Sequence, residues 1–394
     1  MKQFMSLILM VFFMIPVLAQ DDGGIIVEKD YKNKEVKQKE SGKTVVGGYG
    51  EMVLTDEAGS TPANMEFYRF VFYMDHYFNE WIAFKSELEY EHGVELTLEQ
   101  AFLELALKEN MALRAGLILM PTSRINLYHE PAYFYPVYRP YLDKYITPTT
   151  WREFGVGFVG SFENGISYEA YIMAGLNSEK FSGKNSIRSG RQGAGALENG
   201  EEAGGFKANL SEPAFTARID YATPVSGLNV GAAVYYGGTD NREDGLEADG
   251  KVTIFSLDAS YKVQYLDLRA AIAMNSISNA KEINDLNGLS GTAGVGEKAQ
   301  GFNVTAAYDL MPYISEDSEQ QLLPFVFVEK YNLHASVPEN TVKNDAFNVT
   351  RYILGVNYKP DYNVVFKFDY TFEKTEVDGA DTHKYFQLGI GYNF

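Results

Sequence analysis

The chain has 394 residues, 53 acidic against 34 basic, for a formal charge of −19, with 28 Tyr, 26 Phe and no Cys. The acidic balance argues against nucleic acid as a partner, and the absence of cysteine excludes a disulfide framework and thiol chemistry. Beyond the N-terminus no run of about eighteen apolar residues occurs, which excludes helical membrane spans, yet the aromatic content exceeds what a soluble domain needs.

Residues 1–19 read as a secretory signal peptide: Lys2, an apolar run from Leu7 to Leu18, then the small residues Val17 and Ala19 before a cut at Gln20. Residues 20–42, with Lys32, Lys34, Lys37 and Lys39, read as a flexible periplasmic lead-in. From 43 to 394 the chain repeats one unit, about ten alternating residues and then a turn or loop. The predicted strands are 43–55, 64–76, 80–91, 95–106, 110–120, 151–162, 166–175, 212–222, 227–238, 250–262, 265–277, 298–308, 322–335, 346–358, 361–372 and 383–394. Sixteen is an even number, as an antiparallel barrel with both termini on one side requires. Long and short connections separate along the chain, though not with a clean odd–even parity.

Alternation assigns the faces. In 361–372, Val364, Phe366, Phe368 and Tyr370 look out, and Val365, Lys367, Asp369 and Thr371 look in. In 265–277, Leu266, Leu268, Ile272 and Met274 oppose Asp267, Arg269 and Asn275. Strand 95–106 resists assignment, because Glu99, Gln100 and Glu104 share one face only if a bulge intervenes. The last strand alternates Phe386, Leu388, Ile390, Tyr392 and Phe394 with Gln387, Gly389, Gly391 and Asn393, as the closing strand of an outer-membrane barrel does. The expected fold is therefore all-β, an antiparallel transmembrane β-barrel of about 16 strands in outer-membrane lipid.

Sixteen strands leave a lumen too wide for strand side chains alone to fill. The segment 121–150, which holds Pro131, Pro136, Pro140 and Pro148 among many aromatics, is the candidate for an external loop folded into it. Arg124, Arg139 and Lys144 would then set the field of a constriction; the alternative is an external cap with solvated charges. The expected inward bases are Arg69, Lys85, Arg114, Arg218, Arg269, Arg351 and Lys367, facing Asp75, Glu87, Glu89, Glu169, Asp220, Asp258, Asp267 and Asp369. For any one residue, neutralisation by a neighbour, as of Arg218 by Asp220, is the simpler account. For the set, a charged permeation path is the expectation.

Enzyme motifs are weak. His76, His92, His129, His334 and His383 lie in separate segments without metal-ligand spacing, and no G-x-S-x-G stands between strand and helix. Neither a metal nor a cofactor is implied. The Gly-rich stretch Gly190 to Gly205 lacks the P-loop Lys and reads as an external loop.

Residues 110–160 resemble the phosphate-selective porin O/P family of Gram-negative bacteria. The resemblance is carried by Arg114-Ala115-Gly116 with Pro121 closing the strand, His129-Glu130-Pro131, and Pro148-Thr149-Thr150-Trp151-Arg152-Glu153-Phe154-Gly155-Val156-Gly157. It implies a sixteen-stranded channel, commonly trimeric, with its third external loop in the pore, and it makes Arg114 and Arg152 candidates for solute contact. The expected function is passive diffusion of small hydrophilic solutes, inorganic anions such as phosphate among them, across the outer membrane. The competing expectations are a non-conducting barrel acting as adhesin or receptor through its long loops and, more remotely, a membrane-embedded hydrolase.

Overall fold

The computed structural model describes residues 41–59, 62–193 and 208–394. The expected signal peptide, nearly all of the lead-in, and the Gly-rich stretch from 194 on lie outside the described residues. Sixteen strands follow in chain order: β1 (Lys43–Glu57), β2 (Asn64–Tyr77), β3 (Ile82–Glu91), β4 (Glu95–Lys108), β5 (Met111–Leu119), β6 (Arg152–Ser161), β7 (Ile166–Ala174) and β8 (Pro213–Ala222) form the first half. The second half is β9 (Leu228–Gly238), β10 (Lys251–Val263), β11 (Leu266–Ile277), β12 (Lys298–Tyr308), β13 (Gln321–Ser336), β14 (Asn348–Asp361), β15 (Val364–Thr375) and β16 (His383–Asn393). All sixteen fall where the alternating runs predict them. Each pairs antiparallel with its chain neighbours, and β1 pairs with β16 to close the barrel.

Closure removes both sheet edges, which would otherwise leave unpaired N–H and C=O groups in lipid. The β1–β16 seam runs in register from Gly50 opposite Tyr392 through Met52 opposite Ile390 to Leu54 opposite Leu388. Beyond it the backbones of Gly48 and Phe394 exchange hydrogen bonds of 3.0 and 2.9 Å.

The period of two decides which side chain meets which solvent. In β15, Phe366 and Phe368 are exposed, whereas Val365, Lys367, Asp369 and Thr371 are buried. In β11, Ile272 and Met274 are exposed, and Asp267, Ala273 and Asn275 are buried. The same division runs through β8, with Phe215 and Ile219 against Thr216 and Arg218. An outer face of exposed Ile, Leu, Val and Phe over a polar, charged inner face suits lipid outside, where each charge turned outward would cost about 2–4 kcal/mol at midplane.

Connections separate by side, more cleanly than the sequence suggested. The odd-numbered ones hold the long segments between β5 and β6, β7 and β8, β9 and β10, and β11 and β12. The even-numbered ones are tight turns such as 109–110, 264–265 and 362–363, except that β12–β13 carries a short helix, Met311–Ile314. Aromatics crowd this turn end: Phe78, Trp81, Phe162, Tyr265, Tyr313 and Phe394 are all exposed. Such rings, apolar in body and polar at the tip or edge, form the girdle that barrels set at a membrane–water boundary.

The irregular strand β4 contains the bulge its sequence called for. Glu87 lies opposite Gln100 but Leu88 opposite Leu98, so Glu99 has no cross-strand partner. Two consecutive residues, Glu99 and Gln100, thereby reach the inner side: Glu99 is fully buried, and Gln100 donates to the inner-face Glu87 (2.6 Å).

Candidate functional site within the barrel

The segment between β5 and β6 is tied at its roots. Met120 N donates to Trp151 O (2.8 Å), and Asn126 Nδ2 donates to Met120 O (2.7 Å) and Trp151 O (2.8 Å). Asn126 Oδ1 accepts from Trp151 N (3.0 Å), so one amide holds both ends of a thirty-residue excursion. Asn126 lies in α1 (Arg124–Leu127), which Ser123 caps by accepting from Asn126 N.

From there the segment makes its contacts with the inner faces of distant strands. Ser256 of β10 donates to Thr122 O (2.6 Å), and Arg124 donates to Ser260 (3.1 Å). Tyr135 donates to Asp267 of β11 (2.8 Å), and Asn357 of β14 donates to Tyr135 O (3.1 Å). Lys367 of β15 donates to Phe134 O (2.8 Å) and Pro136 O (2.9 Å), while Asp369 accepts from Val137 N (2.7 Å). A second short helix, α2 (Tyr141–Tyr145), starts where Leu142 N donates to Glu329 of β13 (2.8 Å). On β16 the inward glycines are what admit it: a Cβ at Gly391 would lie 2.4 Å from Pro131 Cβ, and one at Gly389 would lie 3.3 Å from Val137. A cavity of about 80 Å³ remains between the segment and β10–β12, lined by Arg124, Tyr128, Asp143, Asp258 and Arg269 among others.

Most of the wall bases expected from the sequence are engaged by carboxylates on the same or nearby strands. Arg69 meets Glu51 (2.7 Å), Glu89 (3.0 Å) and Glu91 (2.8 Å). Arg114 meets Glu104 (2.6 Å), and Lys85 meets the same Glu104 at 3.4 Å. Arg218 lies between Asp220 (2.6 Å) and Asp258 (2.7 Å), Arg351 between Glu329 (3.1 Å) and Glu373 (3.2 Å), and Arg269 on Asp267 (2.8 Å). Bases held in this way are committed to the wall and keep it wet instead of facing the bore as free charges.

A different group of bases has no such partner among the described residues. Arg152 donates to Thr150 O (3.2 Å), Arg188 to Lys144 O (3.1 Å), and Arg191 to Thr149 O (2.9 Å), all backbone carbonyls. The Arg139 Nε and Nη2 and the Arg152 Nε are buried with no hydrogen-bond partner among the described residues. Burial and the positive charge of Arg188 nearby hold the Lys144 ammonium down to about 8. Arg139, Lys144 and Arg152 were expected here. Arg188 and Arg191 were not, because they come from the β7–β8 connection and only the fold brings them to the root of the inner segment.

Sequence spacing also missed a cluster built from three segments. One ligand atom each from Glu87, Glu99 and His129 lie within 4.8 Å of one another. The strand irregularity at Glu99 was the available signal, but nothing in the sequence placed His129 opposite it.

These features define a closed outer-membrane-type barrel, with residues of the segment 121–150 hydrogen-bonded to β10, β11, β13, β14 and β15. The same fold is found in the anion-selective porin from Comamonas acidovorans (TM-score 0.52, 10% identity, 90% of this chain and 100% of that one). It is also found in OmpF of Salmonella typhi in complex with daunomycin (TM-score 0.57, 15% identity, 90% and 98%) and in the channel DcaP of Acinetobacter baumannii (0.55, 13%, 90% and 98%). At such identities the likeness is one of fold. No family model matches the chain. The chain belongs to the same family as an uncharacterized protein of Aquifex aeolicus (strain VF5), to which it is 34% identical over 345 residues, 83% of this chain and 75% of that protein.

Proposed function

We propose that this protein is an outer-membrane porin, a water-filled channel for passive diffusion of small hydrophilic solutes with a preference for anions. The carrying observation is the group Arg139, Arg152, Arg188 and Arg191, which lacks carboxylate partners among the described residues and sits beside the inner segment. The segment 121–150 is the constriction, and these guanidiniums act on what passes it. Guanidinium forks match planar and tetrahedral oxyanions, so phosphate falls within the solute class, in line with the resemblance of residues 110–160 to the phosphate-selective porins. Arg152 then contacts solute, whereas Arg114 is committed to Glu104 and serves the wall. Export by the leader at 1–19, residence in the outer membrane and assembly as a homotrimer belong to the same proposal.

The test is planar-bilayer conductance of the refolded protein under a KCl gradient, followed by addition of phosphate. Open steps, a reversal potential on the anion side and block by phosphate are expected, and Arg152→Gln together with Arg191→Gln should move the reversal potential toward cations. A barrel that never conducts would sink the porin reading and return attention to its long loops. Steps with cation preference would leave a general porin and remove the anion clause.

Lys144 adds a pH dependence. Its ammonium is charged below about 8 and neutral above, so anion preference should decline as pH rises through that value and Lys144→Gln should abolish the step. A reversal potential flat between about pH 7 and 9 in the parent protein would show that Lys144 does not face the path.

A further inference from the structure

The bulge in β4 creates an arrangement that wall neutralisation does not explain. Glu99 is fully buried, its Oε1 is 3.0 Å from His129 Nε2, and its Oε2 has no hydrogen-bond partner among the described residues. The other ring nitrogen, His129 Nδ1, is 3.0 Å from the Asn126 carbonyl oxygen. A carbonyl only accepts, so Nδ1 carries the hydrogen, and in the neutral ring Nε2 then turns a lone pair toward a carboxylate. Two lone pairs facing each other in a dry place call for a proton or a cation. This second-sphere carbonyl is what commonly orients a metal-binding imidazole.

Glu87 completes the group. Gln100, the residue after the bulge, donates to Glu87 Oε2 (2.6 Å), which steadies the carboxylate and leaves its other oxygen for a ligand. Glu87 is intermediate in exposure as a whole residue in β3, while within the cluster it is buried with Glu99 and His129. We propose that Glu87, Glu99 and His129 form a site for a first-row divalent cation of the Zn²⁺ class. One imidazole nitrogen with two carboxylates disfavours Ca²⁺ and Mg²⁺, which prefer all-oxygen shells, and leaves a fourth position for water. Two ligands of one tetrahedral ion stand about 3.3 Å apart, so the present spread of up to 4.8 Å closes with small side-chain rotations. The charges of Arg139 and Arg152 reach Glu99 and oppose the ion, while Glu89 and Glu130 favour it. Because the ligands come from β3, β4 and the inner segment, the bound ion would pin that segment to the wall close to its first root.

The experiment is titration of metal-stripped, refolded full-length protein with Zn²⁺ by calorimetry, and with Co²⁺ by visible absorption. One equivalent per chain is expected, with His129→Gln and Glu99→Gln each weakening it by about tenfold or more. The trio Glu91, His92 and Glu95, of which His92 is exposed, is a rival location, so His92→Ala should leave the equivalent intact. Loss on His92→Ala alone, an unchanged titration in both His129→Gln and Glu99→Gln, or no binding in the parent protein would each overturn the proposal. Heat-modifiable migration on gels reports whether each variant has folded. Should His129→Gln fail that check, Glu87→Gln and the nitrogen-ligand features of the parent Co²⁺ spectrum decide.

Discussion

Arg69→Met is expected to lower the stability of the folded barrel by about 3–5 kcal/mol, the usual cost of leaving buried carboxylates without their counter-ion. Arg69 is 2% exposed, and its guanidinium uses all three nitrogens: Nε on Glu51, Nη1 on Glu89 and Nη2 on Glu91. Sheet register makes this possible, since Glu51 on β1 and Glu91 on β3 both lie opposite Arg69 of β2. The ring of Tyr68 adds a cation–π contact, 4.6 Å from the guanidinium carbon. One side chain therefore staples three strands next to the β1–β16 seam. Lysine would not replace it, because a single ammonium cannot satisfy three carboxylates in a fork. Guanidinium chloride unfolding followed by Trp fluorescence measures the loss, and adding Glu89→Gln and Glu91→Gln to Arg69→Met should recover part of it. A loss below about 1 kcal/mol would mean that water reaches these carboxylates and the patch is not dry.

Unfastening the inner segment should have the largest effect on conduction. Lys367 and Asp369 hold its middle through three charge-assisted hydrogen bonds to backbone groups of residues 134, 136 and 137, each contributing about 1.5–3 kcal/mol. The double variant Lys367→Met with Asp369→Asn is expected to give larger and noisier open steps with weaker ion preference. Gly391→Val approaches the same question sterically, since its Cβ would fall on Pro131 and push the segment off β16. Unchanged single-channel conductance in both variants, with the barrel folded, would show that residues 121–150 do not set the bore.

Much of the architecture was written locally. Where one face meets lipid and the other polar side chains, a two-residue period marks a strand, and β15 could be assigned side chain by side chain from Phe366, Lys367, Phe368 and Asp369 alone. Even the failure of alternation at Glu99 was informative, because Glu99, Gln100 and Glu104 could share one face only through a bulge, although the face itself could not be assigned. What could not be read was anything that depends on register between strands. The carboxylates of Glu51 and Glu91 on Arg69 follow from which residue sits opposite which, and Arg218 finds Asp258 two strands away on β10 although its bond to Asp220 was local; no single strand records such partners. Arg188 and Arg191 were hidden for a further reason: they lie in a long connection with no period at all. The inward Gly389 and Gly391 looked like spacers between apolar residues, and their use as room for Pro131 and Val137 appears only once a second segment lies against them.

The unequal lengths of the connections give the molecule a direction. Among the described residues, one end is made mostly of tight turns, whose charges are chiefly Glu80, Glu109, Glu163 and the β12–β13 acids Glu316, Asp317 and Glu319, and the other bears the long, more heavily charged segments around 176–193 and 239–249. Drawing the first end through hydrocarbon strips water from fewer charges than drawing the second. Added from one side to a bare bilayer, every copy would enter with its turns leading. Any rectification built into the bore would then survive in the summed current of many channels instead of cancelling between opposed ones.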